Sequence, residues 1–456
     1  MNCLRHLLET GDFFRSSDYE LLECVLEAFE TELEYLKSAY VVERSQSLGP
    51  STPSPSEILY KDEGKYEEID RTLTGILALR WIATEDYNAF TNNQPRSLRL
   101  QREPFEQLCK FFNDMTDGFE DIEMLLAVIT MQLVNDLGKS TQLISALRQE
   151  TEGKLPSSRN HDVIMREVLE FCPRLVPSSA ALSREYREIV PKVIELSAHF
   201  NPGHLVQAEC PVASLDVLLE LDLSAKDVNL KFMEMFLDLA GVKGHINHEG
   251  AAAMIQPVFH SYWFTRKAAV RIVERVRNPE STYCDVLWDR IQILEAASWD
   301  VPHDFSLDHP ADFAKARLFC AARAADARKA TLISDTFEEL PSSIKERLTV
   351  GLCKRGKPGE PAILPSYLPA TIQKLVERPG NPQNALDALF RYLADVLTLN
   401  PTAAAQVPSN AVILERDLRE TLTECVETAA FAVDPIEVLD DLPLPSLQIL
   451  RVLHRP

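Results

Sequence analysis

Apolar residues recur every three to four positions along most of this chain. Leu21, Leu22, Val25, Phe29, Leu33 and Leu36 follow that spacing with acids between them, which predicts one long amphipathic helix over Ser17 to Glu43. Ser45 to Ser56, SQSLGPSTPSPS, interrupts the pattern and reads as a Pro/Ser linker unable to form a core. The helical period resumes at Tyr66, passes Arg80 and Trp81, and breaks between Asn92 and Pro95. Further helices are expected over Pro104 to Asp114, Asp121 to Val134, from His161-Asp162 onward, and Arg184 to Phe200.

Pro202, Gly203 and Pro211 then force irregular backbone through NPGHLVQAECPVASLDVLLEL. A loop held on a rigid scaffold is where function concentrates, which singles this one out. Beyond it lies Lys231 to Lys267, a stretch patterned as buried helix that nevertheless contains Asp238, His245, His248, Glu249 and His260. Helices are expected over Phe264 to Val276, Asp285 to Ala297, Pro310 to Arg328, Pro365 to Val376, Pro382 to Leu399 and Glu415 to Ala432. Gly351 to Pro361 reads as a basic turn region.

Strands are few, so the expected class is all-α: a large multi-helix globular domain with a helical N-terminal extension. The divisions expected are 1–58 (helix and linker), 59–265 (helical core) and 266–456 (a C-terminal helical region packed on the core).

Composition narrows this reading. The 456 residues are 45% hydrophobic and 25% charged, as in an ordinary globular protein, and only 15 are glycine, which favours helices over tight-turned sheets. A net charge of −22 repels nucleic acid and anionic membranes overall, so any RNA-binding face must be local and basic. Nine scattered cysteines, never spaced CxxC, argue for reduced thiols and against a disulfide framework or a structural zinc. The opening MNCLRHLLETGDFF does not read as a signal peptide, and no run approaches the roughly 18 apolar residues of a membrane span. The cytoplasm is the expected compartment.

Several groups carry candidate chemistry. NDLGKS, Asn135 to Ser140, resembles the HD-domain metal motif, in which a His-Asp pair ends an apolar helix. Here Asn135 stands in the histidine position, so the resemblance is to a degenerate site, and no metal is expected. Leu133 occupies the place of the upstream glycine that a P-loop requires. A similar D-L-[GA]-[KG] turn recurs at Asp238, whose carboxylate follows an apolar helical turn. Burial there would raise its pKa unless a cation compensates.

His245 and His248 lie three apart beside Glu249, a weaker signal than HExxH. Glu120, Asp121 and Glu123 form an acidic helix start, which either complements the helix dipole or receives a guanidinium in bidentate fashion. Lys267, Arg271 and Arg275 follow i, i+4, i+8 spacing and form a basic stripe able to meet phosphates. No GxSxG or GxGxxG occurs, which removes support for serine-hydrolase and dinucleotide-binding readings.

Four collinear stretches together resemble a fungal family, the arginine-containing cyclodipeptide synthases. They are FEDIEMLLAVITMQLVNDLGKS, RNHDVIMREVLEFCPRLVPS, HFNPGHLVQAECPVASL and FMEMFLDLAGVKGHINHEGAA, with a weaker echo at KPGEPAILPSYLPA. The resemblance implies a transferase of secondary metabolism that takes amino acids esterified to tRNA, arginine among them, and joins two into a diketopiperazine. It implies aminoacyl-tRNAs, including arginyl-tRNA, as partners and no cofactor.

That family's acidic DDxxE motif is absent. Asp440-Asp441 is followed by Leu444 where the Glu would stand, and the nearest acidic group is Glu120-Asp121-Ile122-Glu123. On this reading Asp136, Asp238, His245 and His248 are the catalytic candidates. Glu120, Asp121 and Glu123 would hold the arginine side chain, and Lys267, Arg271 and Arg275 the tRNA. Two other readings stay open: an HD-type phosphohydrolase, active or degenerate, acting on a nucleotide, and a non-catalytic helical scaffold.

Overall fold

The computed structural model describes residues 1–39, 52–61, 64–157 and 160–453. The last residues of the expected Ser17 to Glu43 helix, and 45–51 of the linker, lie outside these. Among the described residues the chain is mostly helical, with one three-stranded sheet. It divides into two compact units. One comprises 1–198 and 221–266; the other comprises 199–220 and 267–456. The irregular stretch after His199 thus belongs with the C-terminal unit, and the N-terminal helices belong with the first.

The first unit is built on the Glu67–Ala83 helix, buried along most of its length. Three acids in its first turn, Glu67, Glu68 and Asp70, complement the helix dipole. The Ala225–Gly241 helix packs along it and starts at a capping box: Ser224 Oγ accepts from the Asp227 N–H at 3.2 Å, and Asp227 Oδ2 accepts from the Ser224 N–H at 2.8 Å. Such a cap contributes about 1 kcal/mol.

Glycines set how closely these two helices approach. A Cβ on Gly241 would stand 2.1 Å from the Arg71 carbonyl oxygen, and one on Gly75 would stand 2.8 Å from the Leu237 carbonyl. Near backbone contact follows, so polar groups near Arg71 and near Asp238 share one interior. The Ile122–Val134 helix, buried from Met124 onward, completes this core.

The N-terminal segment differs from its periodicity. It forms two helices, Asp18–Ala28 and Glu30–Leu36, because Phe29 at φ −130° breaks the helical backbone between them. Phe29, Leu33 and Leu36 are nonetheless buried, as the apolar stripe required.

The second unit holds the Pro310–Ala321, Ala327–Glu339, Ser342–Cys353 and Pro382–Val396 helices and the sheet. Strand β1 (Ala362–Ser366) pairs in parallel with β2 (Ala411–Asp417), with Ala362 opposite Ile413 and Ser366 opposite Asp417. Strand β3 (Leu447–Val452) adds antiparallel to β2 with an irregularity between Ala411 and Leu414.

Two expected helices therefore begin differently. Pro365 lies in β1, at the sheet edge where proline's missing N–H is tolerated, and the helix that follows is Leu368–Val376. Val412, Ile413 and Leu414 form a buried strand, where β-branching favours extended backbone, and the helix starts only at Arg419.

Candidate functional site

Four separate segments of the first unit bring charged side chains into one interior. The Ile122–Val134 helix ends at Asn135, and a single 3₁₀ turn, Leu137–Lys139, reverses the chain. That turn places Lys139 Nζ 2.8 Å from Asp136 Oδ1 and 3.2 Å from Glu68 Oε1. Glu68 Oε1 also accepts from Arg71 Nη1 at 2.9 Å.

The His161–Phe171 helix supplies the next members. Its Asn160 cap accepts from the Asp162 N–H at 2.8 Å, which fixes His161 and Asp162 in the first turn. His161 Nε2 lies 3.8 Å from Asp136 Oδ1 and 3.8 Å from Asp162 Oδ2. Gly138 makes this possible, since a Cβ there would stand 2.1 Å from the His161 carbonyl oxygen. The glycine of the D-L-G-K turn is thus explained by backbone contact with the histidine segment.

The Ala225–Gly241 helix contributes a second ion pair, Lys231 Nζ to Glu234 Oε2 at 2.6 Å, together with half-buried Asp238. The field of Asp136 acts on Asp238, and that of Asp162 acts on both Lys231 and Glu234.

Burial would push Asp136 upward, but Lys139, then His161 and Arg71, outweigh it and hold the carboxylate well below its ordinary range. One ammonium cannot serve two carboxylates equally. Burial and the neighbouring Asp136 charge raise Glu68 to about 7, although Lys139 and Arg71 oppose them. Burial likewise raises Glu234 to about 7 against the pull of Lys231, with Asp238 adding to the rise. Asp238 is raised by burial and by Asp136, with Arg71, Lys139 and Lys231 in opposition.

The interior reaches solvent at His161, whose side chain is 34% exposed, while Asp136 beside it is 9% exposed. The arrangement therefore presents a partly exposed imidazole 3.8 Å from Asp136 Oδ1, the oxygen that also meets Lys139 and belongs to a carboxylate held ionised.

Among the described residues no group of three or more His, Cys, Asp or Glu side chains is placed to hold a metal ion, and the Asp136 carboxylate already meets an ammonium.

The sequence candidates are distributed unevenly. Asp136 and Asp238 belong to this interior. His248 is directed elsewhere, with Nε2 3.2 Å from Thr52 Oγ1, and Thr52 in turn donates to Glu249 at 2.6 Å. His245 is buried in the turn after the helix, behind Gly244, which packs on the Asp70 carbonyl and Thr74.

Asp121 caps its own helix, accepting from the Met124 N–H at 2.9 Å, and Glu120 is exposed. Glu123 pairs with Arg5 of the first helix, so it does receive a guanidinium, one belonging to this chain. Lys267 and Arg271 are exposed on the Gln256–Val273 helix. Arg275 lies past the helix end at φ 58°, so the i, i+4, i+8 stripe stops at its second member.

Glu68, Arg71, Lys231 and Glu234 were not singled out from sequence. Their signal was present: two i, i+3 acid–base pairs on helices otherwise composed of buried apolar residues.

No curated protein and no solved structure matches this chain. No described helix is long and apolar enough to cross a membrane. A family model described as a family of unknown function, DUF6829, matches residues 22–439, and the chain belongs to that family.

Proposed function

We propose that this chain is an acyl-transferring enzyme of the cyclodipeptide synthase type, using aminoacyl-tRNAs, arginyl-tRNA among them, with His161 as the proton-transferring group and Asp136 as its partner. The observation that carries the reading is the Asp136–His161 approach of 3.8 Å, with Lys139 at 2.8 Å from the same oxygen, Asp136 Oδ1.

An amino acid esterified to tRNA is already activated, so the reaction needs orientation and proton transfer. His161 takes a proton from the attacking α-amine as the C–N bond forms at the ester carbonyl. The imidazolium, held by ionised Asp136, returns that proton to the ribose oxygen as the C–O bond breaks. A second attack of the same kind closes the ring. Exposed Lys267 and Arg271, at the start of the other unit, would meet tRNA phosphates.

Expression in a bacterium, with the culture medium profiled by mass spectrometry, tests this directly. An arginine-containing diketopiperazine is expected from the wild type, and loss of at least a hundredfold from His161→Ala and Asp136→Asn with unchanged circular dichroism. Soluble wild-type protein without any such product would overturn the reading.

A second reading, an HD-like phosphohydrolase on a nucleotide, is favoured by the meeting of Asn135-Asp136 with His161-Asp162 and Asp238. Stoichiometric Mn, Fe or Zn together with phosphate release from nucleotides would select it.

A further inference from the structure

The irregular stretch after His199 is built with more effort than a connection requires. Arg317, buried, donates to the carbonyls of Ala208 at 2.9 and 3.0 Å, Glu209 at 3.1 Å, Cys210 at 3.4 Å and Leu352 at 2.6 Å. The Tyr283 hydroxyl adds bonds to the carbonyls of Ala208 at 3.2 Å and Cys210 at 2.8 Å. Three successive carbonyls thus point at one guanidinium, and Ala208 accepts φ 47° to achieve it. A non-glycine residue in that region costs about 1–2 kcal/mol and persists only where its surroundings dictate it.

The side chain between them, Glu209, is almost fully buried at the carboxyl ends of the parallel strands β1 and β2. Its Oε1 accepts the N–H of Tyr367 at 2.5 Å, the residue that follows β1 and itself stands at φ 70°. Its Oε2 lies 3.7 Å from His204 Nε2.

The groups around Glu209 are mostly donors. Arg323, exposed, acts on the Glu209 carboxyl and is steadied by Gln207 Oε1 at 3.1 and 3.2 Å. Arg419 bonds the Tyr367 hydroxyl at 3.1 Å and Asp417 at 3.0 Å, with its side chain 42% exposed. Glu415 takes the Ser366 hydroxyl.

Burial first, then the Glu415 charge, raises Glu209 to about 8 against the Tyr367 N–H and the two arginines Arg323 and Arg317, so at neutral pH it carries a proton. A cationic ligand would meet two exposed guanidinium groups and an uncharged acid. An anion would meet guanidinium and imidazole donors, beside the Asp417 carboxylate that already binds Arg419 and the Glu415 carboxylate that already binds Ser366, on a chain whose net charge is −22.

We propose that the carboxyl ends of β1 and β2 form a binding site for a small oxyanion, the phosphate or carboxylate group of a ligand, with Arg323, Arg419 and His204 as its contacts and buried Glu209 as the acid behind them. This site stands independently of the Asp136–His161 reading.

The test is calorimetric titration of the full chain with inorganic phosphate and, separately, acetate, at constant ionic strength held with chloride. Saturable binding of at least one anion is expected, weakened at least tenfold in Arg323→Gln and in Arg419→Gln. Arg184→Gln, on an exposed helix of the other unit, should bind as wild type. Preference for phosphate would assign a phosphoryl ligand, and preference for acetate a carboxylate ligand. Failure of both anions to bind beyond chloride, or equal binding by the two arginine variants with melting curves unchanged, would overturn the proposal.

Discussion

Asp136 and Glu209 are both carboxyls withdrawn from water, one in each unit, and they end in opposite protonation states. Asp136 has an ammonium at 2.8 Å and an imidazole at 3.8 Å, and stays ionised. Glu209 has one backbone N–H at 2.5 Å, an imidazole at 3.7 Å, more distant arginines and a neighbouring glutamate, and is raised to about 8. Burial is common to both. What separates them is the sum of nearby cations: Lys139, His161 and Arg71 together outweigh burial at Asp136, whereas a single contact cation does not, since Glu234, 2.6 Å from Lys231, still rises to about 7. Glu68, with Arg71 at 2.9 Å and Lys139 at 3.2 Å, still rises to about 7, because burial and the Asp136 charge outweigh those contacts.

The strongest way to break the comparison is to remove the contact cation. Lys139→Met leaves Glu68 and Asp136 facing each other without it, and a loss of about 3–5 kcal/mol in urea unfolding is expected, as for other buried pairs deprived of one partner. A loss below about 1 kcal/mol would mean that the network does not hold Asp136 ionised.

Next in size is Gly138→Ala. Its Cβ would stand 2.1 Å from the His161 carbonyl oxygen, so backbone must move, at about 1–3 kcal/mol, and His161 must withdraw from Asp136. A crystal structure with the 3.8 Å approach retained would refute this account of the glycine.

The two carboxyls also predict opposite pH effects. Glu209 keeps its proton in the folded state up to about 8 and in the unfolded chain only to about 4.5, so its contribution to stability falls as pH rises through that window. Glu209→Gln should flatten that fall by up to about 1.4 kcal/mol per pH unit. Asp136, depressed, contributes stability above 3.8 that is lost as pH falls further, so Asp136→Asn should remove an acid-side loss instead. Unfolding curves across pH 3 to 9 that shift in the same direction for both variants would dissolve the contrast.

The smallest effect belongs to Asp70. Its Oδ1 accepts the Ser56 N–H at 2.8 Å and burial raises it to about 6, against that bond, others from Ser56 and Ser54, and Lys65. Its stabilising contribution falls as pH rises from 3.8 to about 6, and Asp70→Asn, which keeps the acceptor, should level the curve only there. Levelling that extended to pH 8 would point to another group.

The periodicity of Leu21 to Leu36, of Met124 to Val134 and of Phe232 to Leu237 sufficed to declare buried helix faces, because a 3.6-residue repeat has few other ways to hide apolar surface. The same local signal carried Asp136 and Asp238 to attention, since a carboxylate closing an apolar helix is conspicuous in one dimension. It also flagged the 202–211 loop through its prolines and glycine. It missed the sheet, because AILPS and AVILERD are short apolar runs whose partners lie about fifty residues apart in the chain.

Pairing was a matter for tertiary structure. That His161 faces Asp136, that Lys139 bridges to Glu68, that Glu123 holds Arg5, and that His248 turns to Thr52 all depend on which helices meet and at what depth. Helix approach here is set by glycines 75, 138, 241 and 244, whose missing Cβ atoms admit a backbone or a side chain to close contact. Sequence determined which groups were present and which faces had to be hidden. Only the packing of those faces decided which charges meet, because Coulomb interaction in a buried interior depends on separations of a few ångströms that spacing along the chain does not encode.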